Sequence, residues 1–240
     1  MNSATVLDVE KVSYSYGSRA PVLHEVTFFV NAGEIVGLVG PNGSGKSTLI
    51  KLVFNLLQLK EGSIRINGNS HQAKAARVQA QYLASNDHIP EFLRASDYLQ
   101  LAADLYHENL DASEAESFFE SYGMPNRLHD LMEDYSHGMR KKVQLISAFL
   151  MRRPLTVIDE TLNGIDIEAL HLVEKELLSM RSQGRGILLC THDFPMLERV
   201  ADRVIFIDYG HIISNMSIRS LRQTGSTLEE LVLSHLDGRS

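Results

Sequence analysis

The run Gly40-Pro41-Asn42-Gly43-Ser44-Gly45-Lys46-Ser47-Thr48 constrains this chain more than any other stretch. It satisfies the pattern G-x-x-x-x-G-K-[ST] at every fixed position, and the apolar residues Ile35-Val36-Gly37-Leu38-Val39 lead straight into it. That order reads as a strand feeding a glycine-rich turn. Lys46 to Val53 then show helical periodicity, which places the positive end of a helix dipole at the turn. An anhydride phosphate carries several negative charges, so a loop that binds it must aim backbone N–H groups inward. Gly40, Gly43 and Gly45 supply the points where no Cβ obstructs that curl. On this reading Lys46 bridges the β- and γ-phosphates and Ser47 offers its hydroxyl to Mg²⁺.

A second constellation lies far along the chain. Leu155-Thr156-Val157-Ile158 is a continuous apolar run, as expected of a strand buried on both faces, and it ends in Asp159-Glu160. Ligands of open α/β sheets bind beyond the carboxyl ends of strands, so two acids there fit a metal and a reacting water. Asp159 then orients Mg²⁺ and Glu160 acts as general base. The next strand, Ile187 to Cys190, ends at Thr191-His192-Asp193, where His192 is either a donor to a γ-phosphate or a structural histidine.

Composition narrows the class. With 240 residues and 44% apolar side chains, the chain has ample material for a buried core. No apolar run approaches the roughly 18 to 20 residues that span a bilayer. The stretch Met1-Asn2-Ser3-Ala4-Thr5 lacks the basic-then-apolar order of a signal peptide, so a cytoplasmic protein is expected. A net charge of −7 argues against a large nucleic-acid footprint. Cys190 is the single cysteine, sits in an apolar run and reads as a buried, inert thiol.

Taken in order, the first 30 residues alternate as two antiparallel strands around Gly17-Ser18-Arg19-Ala20-Pro21. Tyr16 ends the first of them, as a core aromatic or as a platform for a nucleotide base. Short strands are expected within 59–68 and 81–84. From Pro90 to Met151 the period is helical, with one helix carrying Phe92, Leu99, Leu101, Ala102, Leu105 and Tyr106 and another opened by Asp111. Ser136 is placed to cap a helix from Met139 to Met151, leaving N–H groups at a positive end that binds anions. Residues 166–183 read as an amphipathic helix, and 203–213 as a hairpin across Tyr209-Gly210. Thr227-Leu228-Glu229-Glu230 fits a capping box that opens a final helix.

With these residues located, the chain resembles the ATP-binding subunit of an ABC transporter, from about residue 7 to residue 215. Tyr16 matches the adenine-stacking aromatic, Gly40 to Thr48 the Walker A loop and Leu155 to Glu160 the Walker B strand. Gly164-Ile165-Asp166 matches the D-loop, His192 the switch histidine, and Tyr135-Ser136-His137-Gly138-Met139 resembles the signature Leu-Ser-Gly-Gly-Gln. The resemblance implies an α/β P-loop NTPase core, a mixed sheet with helices on both faces, plus an N-terminal antiparallel β-subdomain and an inserted α-helical subdomain. The expected bounds are 1–85 and 154–216 for the core, 86–153 for the helical part with the signature, and 217–240 for a helical tail.

It further implies that Ser136, Gly138 and Asp166 reach ATP held by a second ATPase subunit, identical or not, so that two copies sandwich two nucleotides. An integral membrane permease is the other implied partner, which would hold this chain peripherally on the inner face of the membrane. The compact helical arm, the wording Gly138-Met139-Arg140 and the lack of a long regulatory extension resemble exporters of the ABC-2 type. Three positions depart from the pattern. His137 replaces the first signature glycine, Ser85 with Asn86 beside it replaces the usual glutamine, and Thr161-Leu162-Asn163 stands where Pro-Thr-Ser or Pro-Thr-Asn is usual. His137 and Ser85 keep open a slower, nucleotide-gated clamp paired with a more active subunit. A soluble ABC ATPase without a membrane partner is the remaining alternative.

Overall fold

The computed structural model describes residues 4–17, 20–85 and 89–237. The expectations placed on Ser18, Arg19 and Asn86 lie outside the described residues. In chain order the elements are β1 (Thr5–Ser15), β2 (Pro21–Asn31), β3 (Ile35–Val39), α1 (Lys46–Val53), β4 (Glu61–Ile66), β5 (Asn69–Ser70), α2 (Lys74–Arg77) and β6 (Ala80–Leu83). The helices α3 (Ala95–Tyr106), α4 (Ala112–Ser121) and α5 (His137–Met151) follow. The chain then returns to the alternation β7 (Leu155–Asp159), α6 (Ile167–Ser182), β8 (Gly186–Cys190), α7 (Phe194–Val200), β9 (Arg203–Asp208) and β10 (His211–Ser217). Two helices, α8 (Ile218–Thr224) and α9 (Leu228–Asp237), complete it.

These elements form two sheets. An antiparallel one has the order β2-β1-β4-β5, and the larger has the order β10-β9-β3-β8-β7-β6. In the larger sheet β6, β7, β8, β3 and β9 are parallel, and β10 closes the edge antiparallel to β9. The sheet is therefore mixed, as expected. Tyr209 at φ 43° and Gly210 at φ 76° turn the β9–β10 hairpin, the pair of positive values that a tight two-residue connection requires.

Period two decides which core each strand residue enters. Val36, Leu38, Val157, Leu188 and Ile207 join α1 and the antiparallel sheet in one cluster. Their neighbours Ile35, Val39, Ile158, Leu189 and Phe206 join the helices of the opposite face. Strands β3, β7 and β8 are buried along their whole length, which is why they read as unbroken apolar runs. The second cluster is continuous from Leu99, Phe119 and Leu145 of α3, α4 and α5 to Val173 of α6 and Leu189 of β8. The helical segment thus packs directly on the sheet that carries the phosphate loop.

Local signals fix the helix starts. Asp111 accepts from Ser113 N at 2.9 Å at the head of α4, and Asp166 accepts from Ala169 N at 2.9 Å at the head of α6. At α9 the capping box is reciprocal, with Glu230 N donating to Thr227 Oγ1 at 3.1 Å and Thr227 N donating to Glu230 Oε2 at 2.9 Å. Helix α3 corrects an expectation. It begins at Ala95, so Phe92 precedes it, and its buried face is Ala95, Leu99 and Ala103. Phe92, Leu101 and Leu105 are 77%, 45% and 66% exposed. The helical period was legible there, but the face was not, because small alanines take the positions next to the core.

The two layers meet closely at the start of β8. A Cβ built on Gly186 would lie 2.3 Å from Val6 Cγ2 and 2.8 Å from Asn31 O, so the β1–β2 layer has no room for one. Gly186→Ala is expected to cost about 1–3 kcal/mol through overpacking, read as a lower midpoint in urea unfolding.

Candidate functional site

The phosphate loop leaves β3 at Gly40 and enters α1 at Lys46. Each of its glycines has a distinct reason to be glycine. A Cβ on Gly40 would stand 2.1 Å from Ile207 O and 2.8 Å from Ser44 Oγ. Gly45 adopts φ 106° and lies against Leu23, 2.7 Å from where its Cβ would be. Gly43 adopts φ 81° with nothing within 4 Å, so its backbone faces open space. The loop closes on itself through Ser44 N donating to Pro41 O at 3.1 Å, and through Lys46 Nζ donating to Gly40 O at 2.7 Å and Pro41 O at 3.1 Å. Gly210 N, from the β9–β10 turn, donates to Ser44 O at 3.0 Å.

A cleft of about 290 Å³ opens over this loop, lined by Asn42, Gly43, Gly45 to Thr48, Val22 of β2 and Glu160. Among the described residues, Ser44 Oγ is buried without a hydrogen-bond partner. A buried orphan hydroxyl, an open glycine backbone and an ammonium at a helix N-terminus together are the donor set of an anion site. A triphosphate fits it. Tyr16 is 39% exposed, not a core aromatic. Its hydroxyl lies 3.1 Å from Thr48 Oγ1, and its ring packs edge-on against Tyr14 at 5.0 Å.

The acids converge on the same place. Asp159 ends β7 at 3% exposure, and burial, then the Glu160 charge, push its carboxyl above the ordinary range. Tyr82 O–H donates to its Oδ2 at 3.3 Å, and the charges of Lys46 and Lys51 also hold the ionised form. Glu160 turns out of the strand at φ 54°, a left-handed backbone unusual for a glutamate. Its amide donates to Cys190 O at 2.9 Å, and its Oε1 lies 3.1 Å from His192 Nε2. Cys190 itself is fully buried, and desolvation raises its thiol well above normal, which leaves it inert as expected.

Two adjacent carboxylates beside the cleft call for a cation. Among the described residues no cluster of three or more His, Cys, Asp or Glu could cage one. Mg²⁺ suits such a site, because it takes one or two protein ligands and completes its shell with phosphate oxygens and water. Ser47, exposed at the cleft, and Asp159 are the residues that would hold it.

The remaining predicted residues stand elsewhere. Ser136 Oγ accepts from Met139 N at 3.2 Å and caps α5, which starts at His137 and so two residues earlier than expected. Gly138 lies against Gly164 O, 3.5 Å from the position of its Cβ. Asp166 caps α6 and pairs with Lys142 Nζ at 2.7 Å, and that hydrogen bond, ahead of the Ala169 amide, holds its carboxyl below the usual range. Ser136, Gly138 and Asp166 do not line the cleft of their own chain. Sequence reasoning missed Tyr82, Lys142 and a role for Thr161. Buried Thr161 donates through Oγ1 to Leu83 O and Ala84 O, 3.0 Å from each, and so holds the exit from β6. No local pattern marks such contacts.

The three glycines can be told apart by experiment. Gly40→Ala is expected to cost about 3 kcal/mol, because only backbone movement relieves the clash, whereas Gly43→Ala should cost about 1–2 kcal/mol of left-handed strain. Denaturant midpoints measured side by side check the order.

Comparison with known proteins agrees with this geometry. The ABC transporter family model matches residues 23–163. The chain is 31% identical to the uncharacterised ABC transporter ATP-binding protein YdbJ of Bacillus subtilis, over 91% of this chain and 71% of that one. It is 31% identical to the Nod factor export ATP-binding protein I of Rhizobium meliloti, over 87% of this chain and 63% of the relative. A solved structure described as the ATP binding subunit of an ABC transporter superposes with a TM-score of 0.88 at 33% identity, covering 96% of this chain and 99% of its own. The phosphate loop, the acids at the end of β7 and the shared fold agree: this chain belongs to the ABC transporter family as an ATP-binding subunit, and the members of that family are ATPases.

Proposed function

We propose that the chain powers export through a separate membrane permease, working as one of two ATPase subunits that close on ATP. The observation that carries the catalytic part is the cleft itself, where Glu160 joins Lys46 and Ser47 in one lining and touches His192. Glu160 is the base that takes a proton from the attacking water, and His192 holds that carboxylate and donates to the γ-phosphate. Lys46 and the N–H groups of 43–48 hold the phosphates, with Gly40, Pro41 and Asn42 shaping the loop, and Tyr16 stacks on the base. Ser47 and Asp159 would hold Mg²⁺, which would supply positive charge to offset that of the phosphate oxygens.

Pairing of two copies is supported by what the cleft lacks. Ser136 and Gly138 form a capped, positive helix end, and neither lines the phosphate cleft of its own chain. Such an end serves the nucleotide of a mate, with Asp166 beside it. Nucleotide then acts as glue, and its cleavage reopens the pair.

A membrane partner is supported by the groove between α3, β6 and α5. About 370 Å³ in volume, it is walled by Val78, Tyr98, Leu101, Leu105 and Tyr106, with Arg77 at its rim. Leu101 and Leu105, turned away from the core, contribute apolar surface there that the folded chain does not use. No helix among the described residues is long and apolar enough to cross a membrane. The direction rests on relatives named for Nod factor export. On this reading residues 86–153 act as a helical subdomain that receives the permease, while 1–85 and 154–216 form the catalytic core and 217–240 a tail. The exposed His137 in the signature favours a second reading, the slow clamp, at the same site.

Lys46→Ala is expected to abolish nucleotide binding in equilibrium dialysis. Glu160→Gln should keep binding, lower turnover about 10²- to 10⁴-fold and leave an ATP-dependent dimer in size-exclusion chromatography. Turnover untouched by Glu160→Gln overturns the assignment of the base. Affinity capture from membranes in mild detergent should recover an integral membrane protein, and Leu101→Glu with Leu105→Glu should lose it. A large gain in hydrolysis for His137→Gly would favour the clamp over the motor.

A further inference from the structure

Tyr82 lies outside the phosphate loop, the acids and the signature, yet it touches the site from behind. Its hydroxyl donates to Asp159 Oδ2 at 3.3 Å, so the phenol engages one of the two carboxylate oxygens. The ring is stacked on Phe54, with centroids 5.0 Å apart and planes 20° from parallel. Phe54 caps the C-terminal end of α1, the helix that begins with Lys46 and Ser47. The backbone of Tyr82 is in register with Val157 on the neighbouring strand β7. One side chain therefore connects the far end of the phosphate-loop helix, the edge strand β6 and the acid that closes β7.

We infer that Tyr82 is a positioning residue for the divalent cation, its phenol fixing one oxygen of Asp159 so that the other is presented to the metal. The inference rests on the reading of Asp159 as a metal ligand. The chemistry requires such a partner. A buried carboxylate with a single remaining donor can rotate about its terminal bond, and a cation that takes only one or two protein ligands has little else to hold that oxygen still. Partners of metal ligands do this work in other sites, by fixing orientation and charge. Tyr82 is suited to it. Its phenol O–H is the donor on Asp159 Oδ2, and the Phe54 stack fixes where that donor points.

The test uses Mn²⁺ as a paramagnetic probe on the full chain, with ATP bound and Glu160→Gln to prevent turnover. Tyr82→Phe keeps the ring and its stack and removes only the donor. Free Mn²⁺ measured by electron paramagnetic resonance should give an affinity about tenfold weaker than for the parent, the low end expected for loss of a ligand's partner. ATP affinity in EDTA should not change. Asp159→Asn should weaken Mn²⁺ binding further, and adding Tyr82→Phe to it should cost nothing more, because the phenol acts only through that carboxylate. Melting curves recorded alongside set a common temperature well below every midpoint.

An unchanged Mn²⁺ affinity in Tyr82→Phe, with Asp159→Asn weakened, overturns the role of Tyr82 and leaves Asp159 as ligand. A loss in Tyr82→Phe that persists in full on the Asp159→Asn background overturns it as well, because the ring would then act through packing. Asp159→Asn with undiminished Mn²⁺ affinity removes the ligand reading itself, and the inference with it.

Discussion

The backbone contact between the phosphate loop and the end of β9 fixes everything around it. Gly40 and Ile207 O approach so closely that no side chain fits between them, and two residues past that strand Gly210 holds Ser44 O. The same turn reaches the antiparallel sheet, since His24 N donates to Gly210 O at 3.0 Å. Loop, hairpin and β2 are thus laced by main-chain hydrogen bonds, which depend on no particular side chain. A loop held in this way loses little conformational freedom when an anion settles into it.

From that anchor the two-core arrangement follows. The sheet must bury both faces, so α1 and the antiparallel layer cover one and α3 to α7 the other. Every strand of the sheet that enters the site does so at its carboxyl end, where β3, β7 and β8 deliver the loop, the acids and His192. Parallel strands share one direction, so all their carboxyl ends lie along one edge, and the chemistry is gathered there without any further device.

Much of this was written locally. The phosphate loop, the strand that ends in Asp159-Glu160, the Asp111 and Ser136 caps and the capping box at Thr227 each rest on contacts within a few residues, and such contacts leave a readable spacing. What stayed illegible depends on distance in sequence. The order β10-β9-β3-β8-β7-β6 brings residue 36 beside residue 203, and no local rule states that pairing. Helices α2 and α8, at four and seven residues, are too short to show a period. Tyr82 with Asp159 and Lys142 with Asp166 meet across 77 and 24 positions, so their partners had to be seen. Helix α3 fell between these cases, with its type readable and its buried face decided by what packs on it.

Glu160 is bent into a left-handed backbone that glycine or asparagine would occupy with less strain, and the difference is about 1–2 kcal/mol. The fold would be firmer without this glutamate. On the role proposed for Glu160, a search for heat-resistant variants would tend to replace it early, yielding a sturdier molecule that still clasps its nucleotide and no longer spends it. On that role, endurance and work are opposed at a single φ angle.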